Sequence, residues 1–443
     1  MKGSANMKSF MVVNLGCKVN AYESDAIANM LEDKGYVLDK QAPDLIIVNT
    51  CSVTATSDSK SRQKIRHLIK NFPNAIVCVM GCYSQMNSVE ASCIEGVGVV
   101  IGTKYRDQIL DLALEYEKNR KTIVKIDDTD VETEFENLVV YNFYKNTRAY
   151  LKIQDGCNNF CSYCIIPYTR GRVRSKDKDL VIKEAQNLVD RGYYELVLTG
   201  IHTGAYGIEF DSYSFFDLLK DLVNSVSGLK RLRISSIEIN ELTDDIIQLI
   251  KNNKIIVNHL HIPIQSGCSS TLMRMNRKYD LNKFEERIKF IKDNIDDVSI
   301  TTDVIVGFPN ETDEEFEITY NSLKRIGFSR LHVFPFSSRE GTAASRMKGH
   351  VHGSVKKDRV NRLILLSKEL EKEYYLKHLN EAVEVLFEEN KDGYYTGYTT
   401  NYIKVRVKSS EDIKGLFKKV RLNSLVDIGL DYTIEGEIIN ELC

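Results

Sequence analysis

The feature that most constrains this chain is a set of three cysteines, Cys157, Cys161 and Cys164, spaced C-x3-C-x2-C directly after an apolar run at residues 149–154. Three thiolates on one tight loop can ligate three irons of a cubane iron–sulfur cluster, whereas clusters dedicated to electron transfer take four cysteines. A set of three leaves one iron open to a further ligand. The spacing differs from the C-x2-C pairs of zinc ribbons. A structural zinc loop with a distant fourth ligand, or incidental cysteines, is the alternative.

A second set of three cysteines, Cys17, Cys51 and Cys82, is spread over the N-terminal part of the chain. They follow the short apolar runs at residues 10–15, 44–49 and 75–80. Helical patterns separate these runs, which is typical of a doubly wound parallel α/β sheet covered on both faces. Parallel strands end at one edge of a sheet, so we expect the three thiols to lie together as a second three-thiolate site. Three separate buried cysteines at strand ends are the alternative.

The length and composition indicate a multidomain protein with metal or redox chemistry. A chain of 443 residues is longer than one ordinary core needs. Its ten cysteines favour metal binding over a disulfide framework. The first residues lack the apolar core of a signal peptide, and no run approaches the length of a membrane span. We therefore expect a cytoplasmic protein without membrane contact. The formal net charge of −2 gives no global signal for nucleic acid.

The apolar runs divide the chain into three predicted domains. Residues 8–118 form the doubly wound α/β domain, 119–142 a linker, 143–374 a second βα-repeating domain, and 376–441 a small all-β barrel. Six strands alternate with helices in the central domain, which favours an incomplete TIM-like (β/α)6 barrel over a closed eightfold one. The fold class is therefore α/β with a C-terminal β-barrel. A partial barrel leaves a lateral opening that suits a macromolecular substrate.

Polar residues follow the strands of the predicted central barrel. Active sites of such barrels lie at the carboxyl ends of the strands, so we expect these residues around one mouth, together with the cysteine loop. The candidates are Thr199, Gly200, Ser235, Ser236, Glu238, Gln265 and Asp303. Each is equally open to a plainer interpretation, as a polar residue that serves only the packing of the barrel.

Two basic segments flank the cysteine sites. One is a predicted helix with Lys60, Arg62, Lys64, Arg66, His67 and Lys70, and the other contains Arg170, Arg172, Arg174, Lys176 and Lys178. A lone basic helix is more often a solvated face, whereas two such segments beside the cysteines make RNA phosphate contacts an equally good interpretation. Tyrosines and basic residues of the C-terminal barrel would bind RNA only if they share one face.

These motifs together resemble the radical S-adenosylmethionine (SAM) methylthiotransferases. The resemblance is carried by residues 14–20, 49–54 and 153–175 and by the polar strand ends. It covers nearly the whole chain and implies an N-terminal methylthiotransferase domain, a radical SAM core and a C-terminal TRAM domain. The sequence around Asp155 and the basic tail at residues 170–174 are most similar to the branch that acts on N6-threonylcarbamoyladenosine in tRNA. Cys268 departs from the family pattern, which has serine there.

The resemblance implies two [4Fe–4S] clusters and two S-adenosylmethionine molecules per turnover. The cluster on Cys157, Cys161 and Cys164 would bind S-adenosylmethionine at its open iron and generate a 5′-deoxyadenosyl radical. The cluster on the second set would hold the sulfur that replaces the hydrogen at C2 of the adenine. The six expected catalytic residues are accordingly Cys17, Cys51, Cys82, Cys157, Cys161 and Cys164.

The resemblance also implies contacts to S-adenosylmethionine and to the substrate. Tyr163 would pack against the cofactor adenine, and the Thr199-Gly200 strand end would meet its amino group. The expected partners of its ribose and carboxylate are Ser235, Ser236, Glu238, Gln265 and Asp303. Arg172 and Arg174 are expected at the threonylcarbamoyl carboxylate, because arginine pairs bidentately with carboxylates.

The implied partners are a tRNA and an electron donor. The tRNA would be threonylcarbamoylated at position 37, decode ANN codons and bind through its anticodon stem-loop, whose splayed bases side chains can read. The donor would be a protein such as flavodoxin or ferredoxin. The competing interpretations are the same chemistry on isopentenyladenosine tRNA or on a ribosomal protein, and a non-enzymatic, zinc-bearing RNA-binding protein.

Overall fold

A computed structural model of the chain describes residues 8–129, 134–143 and 147–439. Cys443 and the last residues of the predicted C-terminal domain therefore lie outside the described residues. Three bodies are present in chain order: a parallel α/β sheet, an open βα-barrel and a closed β-barrel. This is the fold class that the sequence predicts, whereas the exact domain limits stay predictions.

The N-terminal domain is built on a six-stranded sheet with the order β2-β1-β3-β4-β5-β6. Its strands are β1 (Ser9–Asn14), β2 (Val37–Leu38), β3 (Leu45–Thr50), β4 (Ile76–Gly81), β5 (Val97–Ile101) and β6 (Ile123–Lys125). Its helices are α1 (Lys18–Asp33), α2 (Ala55–Asn71), α3 (Cys82–Met86), α4 (Ser88–Ser92) and α5 (Ile109–Asn119). All neighbouring strands run parallel.

The middle strands of this sheet are apolar on both sides because helices cover both faces. Every residue of β3 and β5 is buried. Successive side chains of β3 enter different cores: Ile47 packs in one that includes Ile27 of α1, and Ile46 in one that includes Ile65 of α2. The predicted doubly wound sheet is thus confirmed. Strand β6 lies beyond residue 118, so the sheet extends into the stretch predicted as a linker.

The central domain is an incomplete barrel of six parallel strands in chain order. Its strands are β7 (Ala149–Lys152), β10 (Glu195–Thr199), β11 (Arg231–Ile234), β12 (His259–His261), β13 (Ser299–Val306) and β14 (Arg330–Pro335), with the short β8 (Gln154–Asp155) and β9 (Arg174–Ser175) after the first. Its helices are α6 (Ile166–Arg170), α7 (Lys178–Asp190), α8 (Phe215–Ser225), α9 (Asp244–Asn252), α10 (Ser269–Arg274), α11 (Leu281–Asn294) and α12 (Asp313–Ile326).

The barrel is two three-stranded sheets joined side by side. The sheets β7-β10-β11 and β12-β13-β14 meet at a parallel bridge between Leu232 and Ile256. Among the described residues, β7 and β14 share no ladder, so the barrel stays open between its first and last strands. The predicted (β/α)6 architecture is confirmed.

A short ribbon closes the cysteine loop at its base. Strands β8 and β9 pair antiparallel, with Gln154 opposite Ser175 and Asp155 opposite Arg174. The residues between them therefore leave and rejoin the barrel at one point. Strands of two residues carry no periodic pattern, which is why the sequence does not predict this ribbon.

Helix α13 (Gly353–Leu376) leads into the C-terminal domain, a closed barrel with the order β15-β16-β17-β19-β18. Its strands are β15 (Ala382–Lys391), β16 (Tyr394–Tyr398), β17 (Lys404–Lys408), β18 (Phe417–Asp427) and β19 (Tyr432–Ile438). Tyr375 of α13 packs into the core of this barrel, so helix and barrel form one unit. Among the described residues, α13 included, there is no helix with the length and apolarity to cross a lipid bilayer.

The C-terminal barrel packs against the amino-terminal ends of the central strands. Arg231 donates hydrogen bonds to the carbonyl oxygens of Tyr398 (3.0 Å) and Glu384 (2.9 Å). Arg233 donates to the carbonyl of Thr400 (3.3 Å). The loop between β16 and β17 thereby closes the bottom of the central barrel, opposite the cysteine loop.

Candidate active site

The first cysteine set lies on the loop between β8 and α6. Gly156, which precedes Cys157, has a φ of +76°, and a Cβ there would lie 1.8 Å from the carbonyl oxygen of Arg172. Only glycine permits so close an approach with this backbone conformation. The Cys157 amide donates to the Gly171 carbonyl (3.0 Å). The first thiol is therefore placed by backbone contacts at the start of the loop.

The far side of the loop is tied to the barrel segment that ends α10. The Ser162 amide donates to the carbonyl of Met275 (3.0 Å), and the Ser162 hydroxyl donates to that of Arg274 (2.8 Å). The Asn276 side chain donates to the Phe160 carbonyl (2.9 Å). The loop has no regular secondary structure, but hydrogen bonds hold it at Cys157 and again at Phe160 and Ser162.

Polar groups that the sequence did not single out approach the thiols of this loop. Arg277 Nη1 lies 3.4 Å from Cys161 Sγ, and the Asn159 amide nitrogen lies 3.5 Å from Cys157 Sγ. His202 Nδ1 lies 3.7 Å from Cys157 Sγ. Burial lowers the pKa of His202, but its contacts with Cys157 and Glu241 outweigh burial and raise it to about 10. These donors suit thiolates that carry a net negative charge.

The second cysteine set gathers at the carboxyl edge of the N-terminal sheet. Cys17 caps α1 after β1, Cys51 follows β3, and Cys82 begins α3 directly after β4. The strands are adjacent and in register, with Thr50 opposite Gly81. Gly81 has a φ of +102°, and a Cβ there would lie 2.5 Å from the Thr50 carbonyl oxygen. A glycine again precedes the thiol that it positions.

An amide network fixes the strand ends beneath this second set. Asn20 donates to the Asn49 side-chain oxygen (2.8 Å), and Asn49 donates to the Asn20 carbonyl (3.0 Å). Cys17 Sγ lies 3.2 Å from Asn20 Oδ1. Burial raises the pKa of Cys82 to about 11, against a lowering effect of the nearby Arg170 guanidinium. Burial also raises the pKa of Cys51.

A buried ion cluster joins the two cysteine sets. Glu23 of α1 lies 2.8 Å from both Lys152 and Arg170 and 3.0 Å from Arg106. Asp155, two residues before Cys157, lies 2.7 Å from Lys152 and 3.1 Å from Arg170. Burial alone would raise the pKa of Glu23, but these three cations hold it below its ordinary value. The cluster ties the helix behind Cys17 to the strand before Cys157.

A cavity of about 680 Å³ lies inside the central barrel, with Cys17 on its wall. It reaches from the strand ends to the C-terminal barrel, whose Tyr398 and Tyr402 also line it. Five of the predicted cofactor residues line this cavity: Thr199, Gly200, Ser235, Ser236 and Asp303. Asp303 is paired with His261 Nε2 (3.3 Å). The structure therefore brings the N-terminal thiol and the polar strand ends of the barrel to one space.

Three predicted cofactor residues do not line this cavity. Tyr163 packs in a small apolar cluster with Met275 and Phe336. Glu238 forms an ion pair with Arg277, and so reaches the cysteine loop through that arginine. Gln265 has a φ of +65°, and its amide donates to the Asp303 carbonyl (2.9 Å). Their predicted contacts with S-adenosylmethionine stay predictions.

The two arginines predicted at the substrate carboxylate also lie away from the cavity. Arg174 is buried, and its guanidinium donates to the carbonyl oxygens of Arg170 (2.8 Å) and Arg172 (3.1 Å). The Arg172 guanidinium lies over the Phe160 ring, 4.5 Å from its centroid. Both arginines support the cysteine loop in this arrangement. Cys268 is buried and contacts the Ser270 hydroxyl (3.2 Å).

Both cysteine sets fit the clusters that the sequence implies. Each set supplies three thiols, and thiols bind a metal centre as thiolates, so binding releases their protons. Among the described residues, there is no group of three His, Cys, Asp or Glu side chains placed to hold a single metal ion. A cubane cluster bridges its thiolates through separate irons, which requires wider spacing than one ion does. Three thiols in each set would hold three irons of a cubane cluster and leave the fourth iron open to a further ligand.

Comparison with known proteins gives two family matches and full-length relatives. The chain matches the uncharacterized protein family UPF0004 over residues 9–102 and the Radical SAM superfamily over residues 151–323. It is 47% identical over 432 residues to the threonylcarbamoyladenosine tRNA methylthiotransferase MtaB of Bacillus subtilis (strain 168), covering 96% of this chain and 95% of the relative. It is 33% identical over 427 residues to the tRNA-2-methylthio-N(6)-dimethylallyladenosine synthase of Lachnoclostridium phytofermentans, covering 94% and 93%.

A third relative and a solved structure were also found. The MtaB of Aquifex aeolicus (strain VF5) is 35% identical over 407 residues, covering 91% of this chain and 98% of the relative. The radical S-adenosylmethionine methyltransferase TsrM from Kitasatospora setae has a similar fold, with a TM-score of 0.54 and 14% identity over 74% of this chain and 72% of that chain. Relatives this similar along nearly their whole length show that the chain belongs to the radical SAM methylthiotransferases, enzymes that work with S-adenosylmethionine and [4Fe–4S] clusters.

Proposed function

We propose that this protein attaches a methylthio group to C2 of N6-threonylcarbamoyladenosine at position 37 of tRNA. The observation that carries the proposal is the cavity where Cys17, from the N-terminal sheet, meets the polar strand ends of the radical SAM barrel. With a cluster on each cysteine set, Cys17, Cys51 and Cys82 would hold the site of the sulfur and Cys157, Cys161 and Cys164 the site that generates the radical. The choice of adenosine is supported by 47% identity to a relative named for threonylcarbamoyladenosine, against 33% to one named for dimethylallyladenosine.

When bound, the two clusters and S-adenosylmethionine supply the radical, the sulfur and the methyl group that turn the C2–H bond into C2–S–CH3. The chain itself binds and orients these groups. Cys157, Cys161 and Cys164 hold one cluster, and the strand-end thiols hold the other. Arg277 and His202 stabilise the charge of the loop thiolates through their contacts with sulfur. Glu238 is a positioning residue, because it orients Arg277.

The cavity residues are suited to S-adenosylmethionine. Thr199 and Gly200 end β10 beside the cysteine loop, and Gln154 accepts a hydrogen bond from the His202 amide (2.8 Å). A Cβ on Gly200 would lie 2.9 Å from Gln154 Oε1, so glycine keeps this wall open. Asp303, held by His261, offers a carboxylate to hydroxyl or amino groups.

The tRNA partner is the anticodon stem-loop of threonylcarbamoylated tRNAs that decode ANN codons. Helix α2, which begins four residues after Cys51, exposes Lys60, Arg66 and Lys70. These cations can meet backbone phosphates beside the cavity, and the C-terminal barrel adds further basic residues. A protein such as flavodoxin or ferredoxin supplies the electron, and the reaction takes place in the cytoplasm, where tRNA is modified.

The other substrates and the non-enzymatic interpretation fit less well. A dimethylallyladenosine enzyme or a ribosomal-protein enzyme would share the cofactor sites, so only the substrate distinguishes them. A zinc-bearing RNA-binding protein does not account for membership of an enzyme family. Mass spectrometry of tRNA nucleosides from a deletion strain separates the remaining candidates. We expect loss of the methylthio form of threonylcarbamoyladenosine alone.

Complementation makes this experiment specific to the chain. A plasmid that encodes the wild type should restore the modification, as should Cys93→Ala, since Cys93 is exposed and belongs to neither set. Cys82→Ala should not restore it. Loss of the dimethylallyl form, or of neither form, in the deletion strain would overturn the proposed substrate.

A further inference from the structure

The bottom of the cavity is formed by a tyrosine that the C-terminal barrel inserts into the central barrel. The Tyr402 ring stacks on the rings of both His259 and Tyr398, with centroid distances of 4.5 Å and 4.7 Å. The guanidinium groups of Arg233 and Arg148 lie over the same ring, 4.7 Å and 5.5 Å from its centroid. Tyr402 has a φ of +67°. This backbone conformation is costly for a bulky residue, which indicates that the surrounding contacts hold Tyr402 in place.

Three cations of the cavity wall converge near this ring: Lys18, Arg148 and Arg233, here called the cationic floor. Arg148 is paired with Glu388 (2.8 Å), and Arg233 with Glu195 (2.9 Å). Lys18 forms no ion pair or hydrogen bond with the side chain of any residue that the structure describes, and it is exposed. Its ammonium group lies within electrostatic reach of Tyr402, His259 and His332. Among the residues that the structure describes, the floor therefore offers one cation that no carboxylate pairs with.

We propose that the cationic floor binds the carboxylate of the N6-threonylcarbamoyl group, with Lys18 as the residue that selects this substrate. The inference rests on the proposed function. In adenine, C2 and the N6 substituent lie on opposite sides of N1. When C2 faces the thiols of Cys17, Cys51 and Cys82, the N6 substituent points away from these thiols, further into the cavity. Lys18 follows the ligand Cys17 directly in the chain. One short segment would therefore lie close to both C2 and the N6 substituent of the modified base.

The same floor would discriminate against an uncharged N6 substituent. An apolar dimethylallyl group would cover the Lys18 ammonium without pairing with it, and a desolvated charge without a partner is costly. A carboxylate replaces the lost water by a charge-assisted hydrogen bond. Selectivity would therefore come from both attraction to one substrate and exclusion of the other. Arg172 and Arg174 do not line this cavity, and their predicted contact with the carboxylate stays a separate prediction.

The test compares two anticodon stem-loop RNAs that differ only in charge. One carries threonylcarbamoyladenosine and the other its methyl ester. Binding to the cluster-loaded, full-length protein is measured with S-adenosylhomocysteine present, which permits no turnover. We expect the wild type to bind the acid about 10–100-fold more tightly than the ester. Equal binding of acid and ester by the wild type would overturn the inference without any variant.

Variants then assign the preference to Lys18. Lys18→Gln should lose about tenfold of the acid preference, because it binds the acid more weakly and binds the uncharged ester at least as tightly as the wild type does. Lys18→Arg should keep the preference, and Lys34→Gln, an exposed lysine at the other end of α1, should behave as wild type. Iron content and the absorption spectrum confirm that each variant holds both clusters.

The outcomes separate this inference from the function on which it rests. If the wild type methylthiolates the acid stem-loop but Lys18→Gln keeps the full acid preference, the role of Lys18 is wrong and the function stands. If the wild type fails to methylthiolate the acid stem-loop, the proposed function itself is wrong.

Discussion

The two cysteine sets differ in how the chain brings their thiols together. The loop set lies within the span from Cys157 to Cys164, so local backbone geometry places all three thiols. The strand-end set draws Cys17, Cys51 and Cys82 from three strands, so its site exists only when the sheet is folded. When a metal cluster binds to the strand-end set, the free energy of binding also stabilises the folded state of the whole N-terminal domain. The positions of the loop thiols depend instead on the contacts that hold the loop against the central barrel.

The two cysteine sets also differ in the residues that contact and position their thiols. The loop thiols contact side-chain and backbone donors, of which Arg277 and His202 come from distant parts of the barrel. The strand-end thiols are placed by the sheet, with the Asn20–Asn49 network beneath them. The ion cluster around Glu23 is shared by both. A change can therefore affect one set alone or both, depending on where it falls.

The largest effect is expected from removing one ligand of either set. Cys161→Ala and Cys82→Ala should each abolish methylthiolation and lower the iron content by about four atoms per chain, the content of one cubane. Each variant should keep the electron paramagnetic resonance signal of the other cluster after reduction. Loss of both clusters from a single substitution would contradict the separate construction of the two sites.

Removing the shared carboxylate should weaken both sets together. Glu23→Gln leaves three buried cations short of one negative charge, which is expected to lower the free energy of unfolding by about 3–5 kcal/mol. Urea unfolding measures this change. The matched control is Glu117→Gln, whose pair with Lys8 is exposed at 41% and 39%, and which should cost about 0–1 kcal/mol. Similar shifts for both variants would argue against a structural role of the cluster.

A glycine substitution should affect the strand-end set alone. Gly81→Ala places a Cβ 2.5 Å from the Thr50 carbonyl oxygen, and the displaced backbone carries Cys82 with it. Gly35→Ala has a comparable φ of +84° with no heavy atom within 4 Å of the new Cβ, so it isolates the cost of the backbone conformation. We expect Gly81→Ala to cost about 1–3 kcal/mol more and to reduce iron at one cluster only. Equal stability of the two variants would show that this strand end tolerates movement.

The smallest effect is expected from the donor to a loop thiolate. Arg277→Gln should slow turnover by about 10-fold. A residue that contacts a metal ligand without binding the metal adjusts the properties of the site but does not form it. The change should appear in the reduction potential of the loop cluster and not in that of the other cluster. Arg325→Gln, which changes an exposed arginine paired with the half-buried Glu285, serves as the control. A shift of both potentials would indicate that the two clusters are electronically coupled.

Local sequence patterns predict most of the fold, and part of the site. The run at residues 44–49 became β3 (Leu45–Thr50) because a fully apolar run fits a strand covered on both faces. Strands β6, β8 and β9 are too short to show a pattern. The cysteine spacing pointed to the loop set directly. Arg277 and Glu23 acquire their importance only from residues distant in sequence, so no local signal marks them. Lys18 belongs to the motif at residues 14–20, but only the fold places it on the cavity wall.

The proposed function requires both cysteine sets in one chain, acting on one substrate. The most direct test mixes equal amounts of the cluster-loaded Cys161→Ala and Cys82→Ala proteins with threonylcarbamoylated stem-loop RNA, S-adenosylmethionine and a reductant. Nucleosides are then measured by mass spectrometry against the wild type under the same conditions. We expect methylthiolated product from the wild type and none from the mixture, since neither variant chain holds both clusters. Product from the mixture would show that the two sites work on separate chains, and would contradict the shared cavity.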